Sequence, residues 1–314
     1  IAVIKTAVVL GNFDWTFVRV YTDEGLTGIG ECFFAPGLTS IVRDLKPLLV
    51  GEDPRNIDRL FRKMQFHTSV AGSVGGIVNN AITGVETALW DILGKSLNAP
   101  VYRLLGGQFR PRVRLYADCH AGEALGSYGP VLTPRKPSWS EEPQAEIPTA
   151  PEAYACHAKE MQALGFTVLK FDIPMLDLYP MGEYNRCLSS KTLDILLHII
   201  GATRDAVGPD ADIAFDCHWQ FNVNDAVKLA HGCEPYNLLW LEDPVPPENV
   251  DALAMVTRST RTPICSGENL CLRHGFRQLV EKQAVGIVSP DFQKAGGILE
   301  GRRICDMADT YYMA

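Results

Sequence analysis

The sequence predicts an α/β protein: a parallel (β/α) barrel preceded by a smaller α+β unit. From Arg112 onwards, short apolar runs alternate with helix-length amphipathic segments, the pattern of successive βα units in a parallel sheet. Within that stretch three acidic residues close three consecutive apolar runs. Asp216 ends IAFD, Glu242 ends LLWLE and Glu268 follows PICSG, in two steps of 26 residues. A repeat of about that length suits a (β/α)8 barrel, in which neighbouring strand ends surround one mouth. The third observation is at the start, where strands precede helices as in an α+β unit.

Residues 1 to about 34 alternate in the β manner: AVIKTAVVL, a turn at Gly11-Asn12, WTFVRVYT, a turn at Asp23-Glu24-Gly25, then LTGIGECFF. Ser40 to Leu105 has helical periodicity, with Asp53-Pro54 starting one helix and Gly106-Gly107 ending the region. The expected domains are therefore 1–110, α+β, and 111–314, the barrel. RVRLYADC opens the barrel as a strand. The stretch from His120 to Ala150, rich in Pro, Gly and Ser, has the length and composition of a functional lid or a disordered segment. Helix PEAYACHAKEMQALG, strand TVLKFDIP, helix TLDILLHIIGATRDAVG, strand DIAFDCH and helix NDAVKLAHGC follow. The series continues with strand LLWLEDP, helix NVDALAMVTRST, strand PICSGEN, helix HGFRQLVEKQ, strand GIVSPDFQK and helix ILEGRRICDMAD, and TYYMA reads as the start of a seventh strand.

At 314 residues and 46% apolar content the chain can fill a large core. Its net charge of −8 is spread without a basic block, which argues against nucleic acid as a partner. No apolar run approaches the roughly 20 residues of a membrane span. IAVIKTAVVL lacks a basic leader and reads as a strand, not a signal. The nine cysteines include no CxxC pair, and several, such as Cys217 and Cys265, fall inside strands. They read as reduced core residues of a cytoplasmic protein. Cys119, ending a strand beside His120, is a candidate nucleophile among them.

Converging carboxylates need a counter-charge. Two of them about 4 Å apart repel by roughly 4 kcal/mol at an effective dielectric of about 20, so three call for a dication. All-oxygen ligands at Asp216, Glu242 and Glu268 favour Mg²⁺ over Zn²⁺; the alternative is three unrelated strand-end acids. His218 lies two residues past Asp216 and shares its face on an extended strand, where it can protonate a departing hydroxyl. The competing reading is a core histidine bonded to backbone. Lys170 ends the second barrel strand after an apolar run, which places it at the mouth in preference to the outer surface.

Several segments then carry a resemblance: TDEGLTGIGE, AITGVETALWDILGKSLNAPVYRLLGG, LKFD, FDCHWQFN, WLEDPVPPEN, SGEN and SPDFQKAGGI. Together they resemble the enolase superfamily and its mandelate racemase and muconate lactonizing enzyme family, most like the galactonate- and mannonate-type acid-sugar dehydratases. The match runs along essentially the whole chain. It implies a modified (β/α)7β barrel with an N-terminal α+β capping domain, and one Mg²⁺ on Asp216, Glu242 and Glu268. It implies a lyase that removes the proton next to a carboxylate and eliminates the 3-hydroxyl of a sugar acid, giving a 2-keto-3-deoxy acid. The substrate is thus a small sugar acid or 2-hydroxy acid, and a homo-oligomer is the expected assembly. The alternatives are a racemase, epimerase or cycloisomerase of the same superfamily, or a catalytically silent binding protein.

The resemblance also implies residue roles. Lys170 faces the charge that develops on the substrate carboxylate, and His218 is the general acid. Asp291 matches an Asp that pairs with a base His on the seventh strand, so the chain is expected to continue past Ala314 with such a His. Lys294 matches the base lysine of muconate-lactonizing relatives and is the other candidate base, although Asp172 stands where a second lysine of that pair belongs. Arg186, Tyr179 and Tyr184 fall in a loop that supplies a Tyr and an Arg in mannonate dehydratases, but the surrounding residues do not match. His67, in FHTSVAGSVGG, is expected at a mobile specificity loop; its GSVGG precedes no basic phosphate-loop residue.

Overall fold

The opening alternation folds as an antiparallel meander of β1 (Val3–Leu10), β2 (Asp14–Tyr21) and β3 (Thr27–Cys32). β1 and β2 pair from Val3 opposite Tyr21 to Leu10 opposite Asp14, and β3 adds to the other edge of β2. This is a computed structural model, and it describes residues 1–10, 14–119, 150–174 and 186–314. The Gly11-Asn12 turn, His120 with most of the stretch following it, and Tyr179 and Tyr184 lie outside the described residues.

Helix α1 (Leu38–Leu49) turns Leu38, Val42, Leu45 and Leu49 inward, and α2 (Ile57–His67) turns in Ile57, Leu60, Phe61 and Met64. Both sets follow the three-to-four spacing of an amphipathic helix and join one apolar cluster. α3 (Gly76–Ser96) lies directly on the meander because β3 carries glycines where it touches. A Cβ on Gly28 would collide with the carbonyl oxygen of Ala88, and one on Gly30 with that of Gly84. α4 (Val101–Leu104) follows.

Next come β4 (Ala117–Cys119), α5 (Pro151–Ala163), β5 (Val168–Asp172), α6 (Ser190–Val207), β6 (Asp212–Asp216) and α7 (Val223–Cys233). The series ends with β7 (Trp240–Glu242), α8 (Val250–Ser259), β8 (Ile264–Ser266), α9 (Leu272–Glu281) and β9 (Ile287–Val288). β4 to β9 form one sheet in chain order, every pair parallel. Contacts divide the chain into two compact units. One is Ile1–Arg112 with Gly267–Arg277 and Ser289–Tyr312; the other is Val113–Ser266 with Gln278–Val288 and Met313–Ala314. Among the described residues no helix is long and apolar enough to cross a membrane.

Three local expectations change. Of RVRLYADC only Ala117–Cys119 joins the ladder, beside Leu169–Phe171; upstream, the Arg114 guanidinium bonds Thr167 and Asp212 through its side chain instead. In GIVSPDFQK the strand stops at Val288. Pro290 has no N–H for a ladder, and the chain then winds into α10 (Phe292–Ala295), with Lys294 and Ala295 N–H donating to the Asp291 carbonyl. TYYMA is a turn followed by two unassigned residues, yet Val288 N–H donates to Ala314 O (2.8 Å) and Ala314 N–H to Gly286 O (3.1 Å). The backbone at Ala314 thus runs beside β9.

In the first unit α11 (Ile298–Asp309) begins on Glu86 of α3, which is 1% exposed. Its carboxylate accepts from Ile298 and Leu299 N–H, both at 3.0 Å, and from Trp90 Nε1 at 2.7 Å. It thereby satisfies two of the donors that a helix start leaves open. A Cβ on Gly297 would strike that carboxylate, so the glycine here is a matter of space as well as of φ (92°). Burial pushes the Glu86 carboxyl up to about 7, against the pull of its three donors. Since folding raises this pKa, the unfolded chain releases the proton first as pH rises. Stability should therefore fall between about pH 4.5 and 7, by about 3 kcal/mol from this group. Urea unfolding of Glu86→Gln across that range should lack this slope; an unchanged slope would show that Glu86 does not carry it.

Candidate active site at the strand ends

Strands β5, β6 and β7 end in LKFD, IAFD and WLE, and their register sets Asp172 beside Asp216 and Asp216 beside Glu242. With side chains alternating, Lys170 shares a face with Asp172. Its Nζ sits 3.0 Å from Asp216 Oδ2 and 3.3 Å from Glu242 Oε2, and the residue is 7% exposed. Burial alone would lower the lysine pKa. The Asp216 and Glu242 carboxylates outweigh it and hold the ammonium well above its ordinary value. Two aromatic residues frame this centre without having been anticipated. Tyr116 presents its ring 5.7 Å from the ammonium, and Trp240 Nε1 donates to Glu242 Oε2 at 2.9 Å. Trp240 was legible as the same-face neighbour two residues before Glu242; nothing in the pattern marked Tyr116.

Asp216, Glu242 and Glu268, the last two residues beyond β8, each offer a carboxylate oxygen, and these three atoms lie within 4.8 Å of one another. Asp216 and Glu242 are 1% and 3% exposed, so water screens them little. Three converging carboxylates concentrate negative charge that a dication balances. Donors made only of oxygen suit a hard cation. The residues fit a metal centre. Lys170→Met would leave Asp216 and Glu242 facing each other without their cation. The metal-free variant should be less stable by about 3–5 kcal/mol, with partial recovery when Mg²⁺ is added, as read by urea unfolding at pH 7. Unchanged metal-free stability would contradict this account.

His218 meets the same centre by another route than the extended strand expected. β6 stops at Asp216, and His218 and Trp219 both adopt left-handed backbone (φ 45° and 48°), each at a cost of about 1–2 kcal/mol. The turn holds because His218 N–H donates to Asp216 Oδ1 at 2.9 Å and Trp219 N–H to the Asp243 carbonyl at 2.6 Å. It brings His218 Nδ1 to 3.5 Å from Asp216 Oδ1 and 3.9 Å from Asp172 Oδ1. That nitrogen is buried and makes no hydrogen bond among the described residues, unlike a core histidine bonded to backbone. Asp172, Asp216 and His218 also offer ligand atoms within 4.8 Å of one another.

The other candidates separate. Cys119 is fully buried, and burial followed by the charge of Asp118 pushes its thiol up to about 12, the reverse of an activated nucleophile. Cys217 and Cys265 are core residues as expected, whereas Cys156, Cys187 and Cys305 are exposed. Asp291 and Lys294 do not end a strand. Asp291 is the N-cap of α10, and Lys294 Nζ lies 2.8 Å from its carboxylate and 4.4 Å from the ring centre of Phe33. Asn79 Nδ2 donates to the Lys294 carbonyl at 2.5 Å. Arg186 bonds the Trp219 carbonyl at 3.4 Å. His67 ends α2, exposed, edge-on to Phe66.

Residues 5–106 match the mandelate racemase / muconate lactonizing enzyme N-terminal domain, and residues 153–314 match the enolase C-terminal domain-like family. A D-xylonate dehydratase of Haloferax volcanii is 42% identical over 310 residues, covering 99% of this chain and 70% of the relative. A D-galactonate dehydratase of Ralstonia nicotianae is 31% identical over 303 residues, 96% of this chain and 70% of that one. Among solved structures, a mandelate racemase/muconate lactonizing enzyme-like protein from Rubrobacter xylanophilus superposes with a TM-score of 0.88 at 40% identity, over 99% of this chain and 77% of that chain. With both domain models matched in order and carboxylates at three successive strand ends, the chain belongs to the mandelate racemase / muconate lactonizing enzyme family of the enolase superfamily.

Proposed function

We propose that the protein is a Mg²⁺-dependent dehydratase of a small sugar acid, a hydro-lyase releasing a 2-keto-3-deoxy acid. The observation that carries the reading is the arrangement about Asp216. Its Oδ2 faces the Lys170 ammonium and its Oδ1 faces the His218 imidazole, so a fixed cation and a proton donor flank one buried carboxylate. The dehydratase names of the relatives support the same class.

Asp216, Glu242 and Glu268 are the residues that would hold Mg²⁺, which supplies charge stabilisation for an anionic substrate oxygen when bound. Removing the proton next to a carboxylate places a second negative charge on that carboxylate. The Lys170 ammonium opposes that charge from a position already set by Asp216 and Glu242, an arrangement worth several kcal/mol at the transition state. The electrons of the broken C–H bond form the C2–C3 double bond as the C3–O bond breaks. His218 gives its proton to the departing oxygen, which leaves as water, and the enol becomes the 2-keto acid. Lys294 Nζ, as the neutral amine, is the proposed acceptor of the C2 proton, and Asp291, 2.8 Å away, would hold the ammonium that results. The family matches support reading 1–110 as the capping domain and 111–314 as the barrel domain. Nine free cysteines support a cytoplasmic enzyme.

The test is a panel of sugar-acid stereoisomers incubated with the protein and Mg²⁺, read for 2-keto acid release and, in deuterated water, for exchange at C2. Keto acid release from at least one member is expected. Exchange or epimerisation without keto acid from any member would overturn the dehydratase reading in favour of a racemase.

A further inference from the structure

We propose that Trp219 is a positioning residue that fixes the His218 imidazole for proton delivery, an inference that rests on the general-acid reading of His218. The turn after β6 contains two successive left-handed residues with side chains, at φ 45° and 48°. L-residues keep such a conformation only where the surroundings impose it. The surroundings grip Trp219 on three sides. Its N–H donates to the Asp243 carbonyl at 2.6 Å, and Asp243 is left-handed in turn (φ 40°). Its carbonyl accepts from Arg186 Nη1 at 3.4 Å. Arg186 is itself tied down, because its carbonyl accepts the N–H of Asn222 at 3.1 Å and Asn222 Nδ2 at 2.9 Å. Asn222 caps α7, accepting the Asp225 N–H on its side-chain oxygen.

The third side is the indole, which meets the His218 ring edge-on, centroids 6.0 Å apart and planes at 63°. His218 Nδ1 makes no hydrogen bond among the described residues. That nitrogen has the Asp216 and Asp172 carboxylates at 3.5 and 3.9 Å, with no directional hydrogen bond to fix the ring. Such a T-shaped aromatic contact limits ring rotation where a hydrogen bond does not. The strained backbone pins Trp219, and Trp219 in turn holds the acid.

The parent protein is compared with Trp219→Leu, Trp219→Phe, His218→Asn and the double variant His218→Asn/Trp219→Leu, using Mg²⁺ and the sugar acid selected by the stereoisomer panel. Trp219→Leu should lower kcat for keto acid release about tenfold with KM little changed, and C2 exchange should fall less than elimination. Trp219→Phe, which keeps an aromatic edge, should recover to within about threefold. In the His218→Asn background, Trp219→Leu should cost nothing further, because the group it positions is gone. A full additional loss there, an equal fall in exchange and elimination, or a Phe variant no better than Leu would each overturn the proposal. If Trp219→Leu does not fold, Arg186→Met, which removes the guanidinium donating to the Trp219 carbonyl, takes its place with the same expectations. Should His218→Asn itself spare elimination, or the parent turn over no sugar acid, the general-acid reading falls and this inference with it. A normal His218→Asn result with no coupling sinks this inference alone.

Discussion

Glu242→Gln should reduce Mg²⁺ affinity by more than about 100-fold while leaving the protein folded. Loss of a residue that only orients a metal ligand commonly costs 10–100-fold, and Glu242 is proposed to bind directly. The substitution also removes one of the three carboxylate charges proposed to hold the dication. The fold should survive because glutamine has the same shape and still offers an oxygen to Trp240 Nε1, which donates to Glu242 at 2.9 Å. Without metal, the variant relieves repulsion between two buried carboxylates at a small loss to Lys170. Calorimetric titration with Mg²⁺ reads the affinity directly. Thermal unfolding gives a second readout: Mg²⁺ at about 100 times the parent Kd should stabilise the parent by about 2.7 kcal/mol and the variant hardly at all. Unchanged affinity in the variant would remove Glu242 from the metal centre.

The carboxylate cluster was legible because its determinant is periodic. A parallel sheet repeats its strand ends at the length of one βα unit, so equal steps from 216 to 242 to 268 imply neighbouring positions before any coordinates exist. The position of His218 was also legible, but for a reason that does not hold. Same-face alternation assumes extended backbone, and the chain instead turns left-handed at His218 and Trp219, held by Asp216 and Asp243. A local pattern cannot reveal a conformation imposed by the next strand. The same limit explains Asp291 and Lys294. Their apolar lead-in reads as strand, yet Pro290 ends the ladder and the Asp291 carbonyl collects two N–H groups into a short helix. Glu86 shows a third kind of gap. Its place in an amphipathic helix is ordinary, and its role at the start of α11 comes from a contact 212 residues away in sequence.

His218→Asn should slow release of the 2-keto acid by about 10²- to 10⁴-fold, the usual contribution of a positioned general acid. Exchange of the C2 proton with deuterated solvent should be far less affected. Only elimination needs the departing oxygen protonated, whereas proton abstraction relies on charge stabilisation next to the substrate carboxylate. Asparagine keeps the backbone N–H that donates to Asp216 Oδ1 at 2.9 Å, and it tolerates left-handed φ well, so the turn itself should stay in place. It cannot deliver a proton. The loss should lie in kcat and not in KM, since the proton moves only in the transition state. A substrate analogue whose 3-substituent leaves without protonation, such as fluoride, should recover much of the rate in the variant. Equal loss of exchange and elimination would make His218 the base or a structural residue. Failure of the fluoride analogue to recover the rate would likewise count against proton donation to the leaving group.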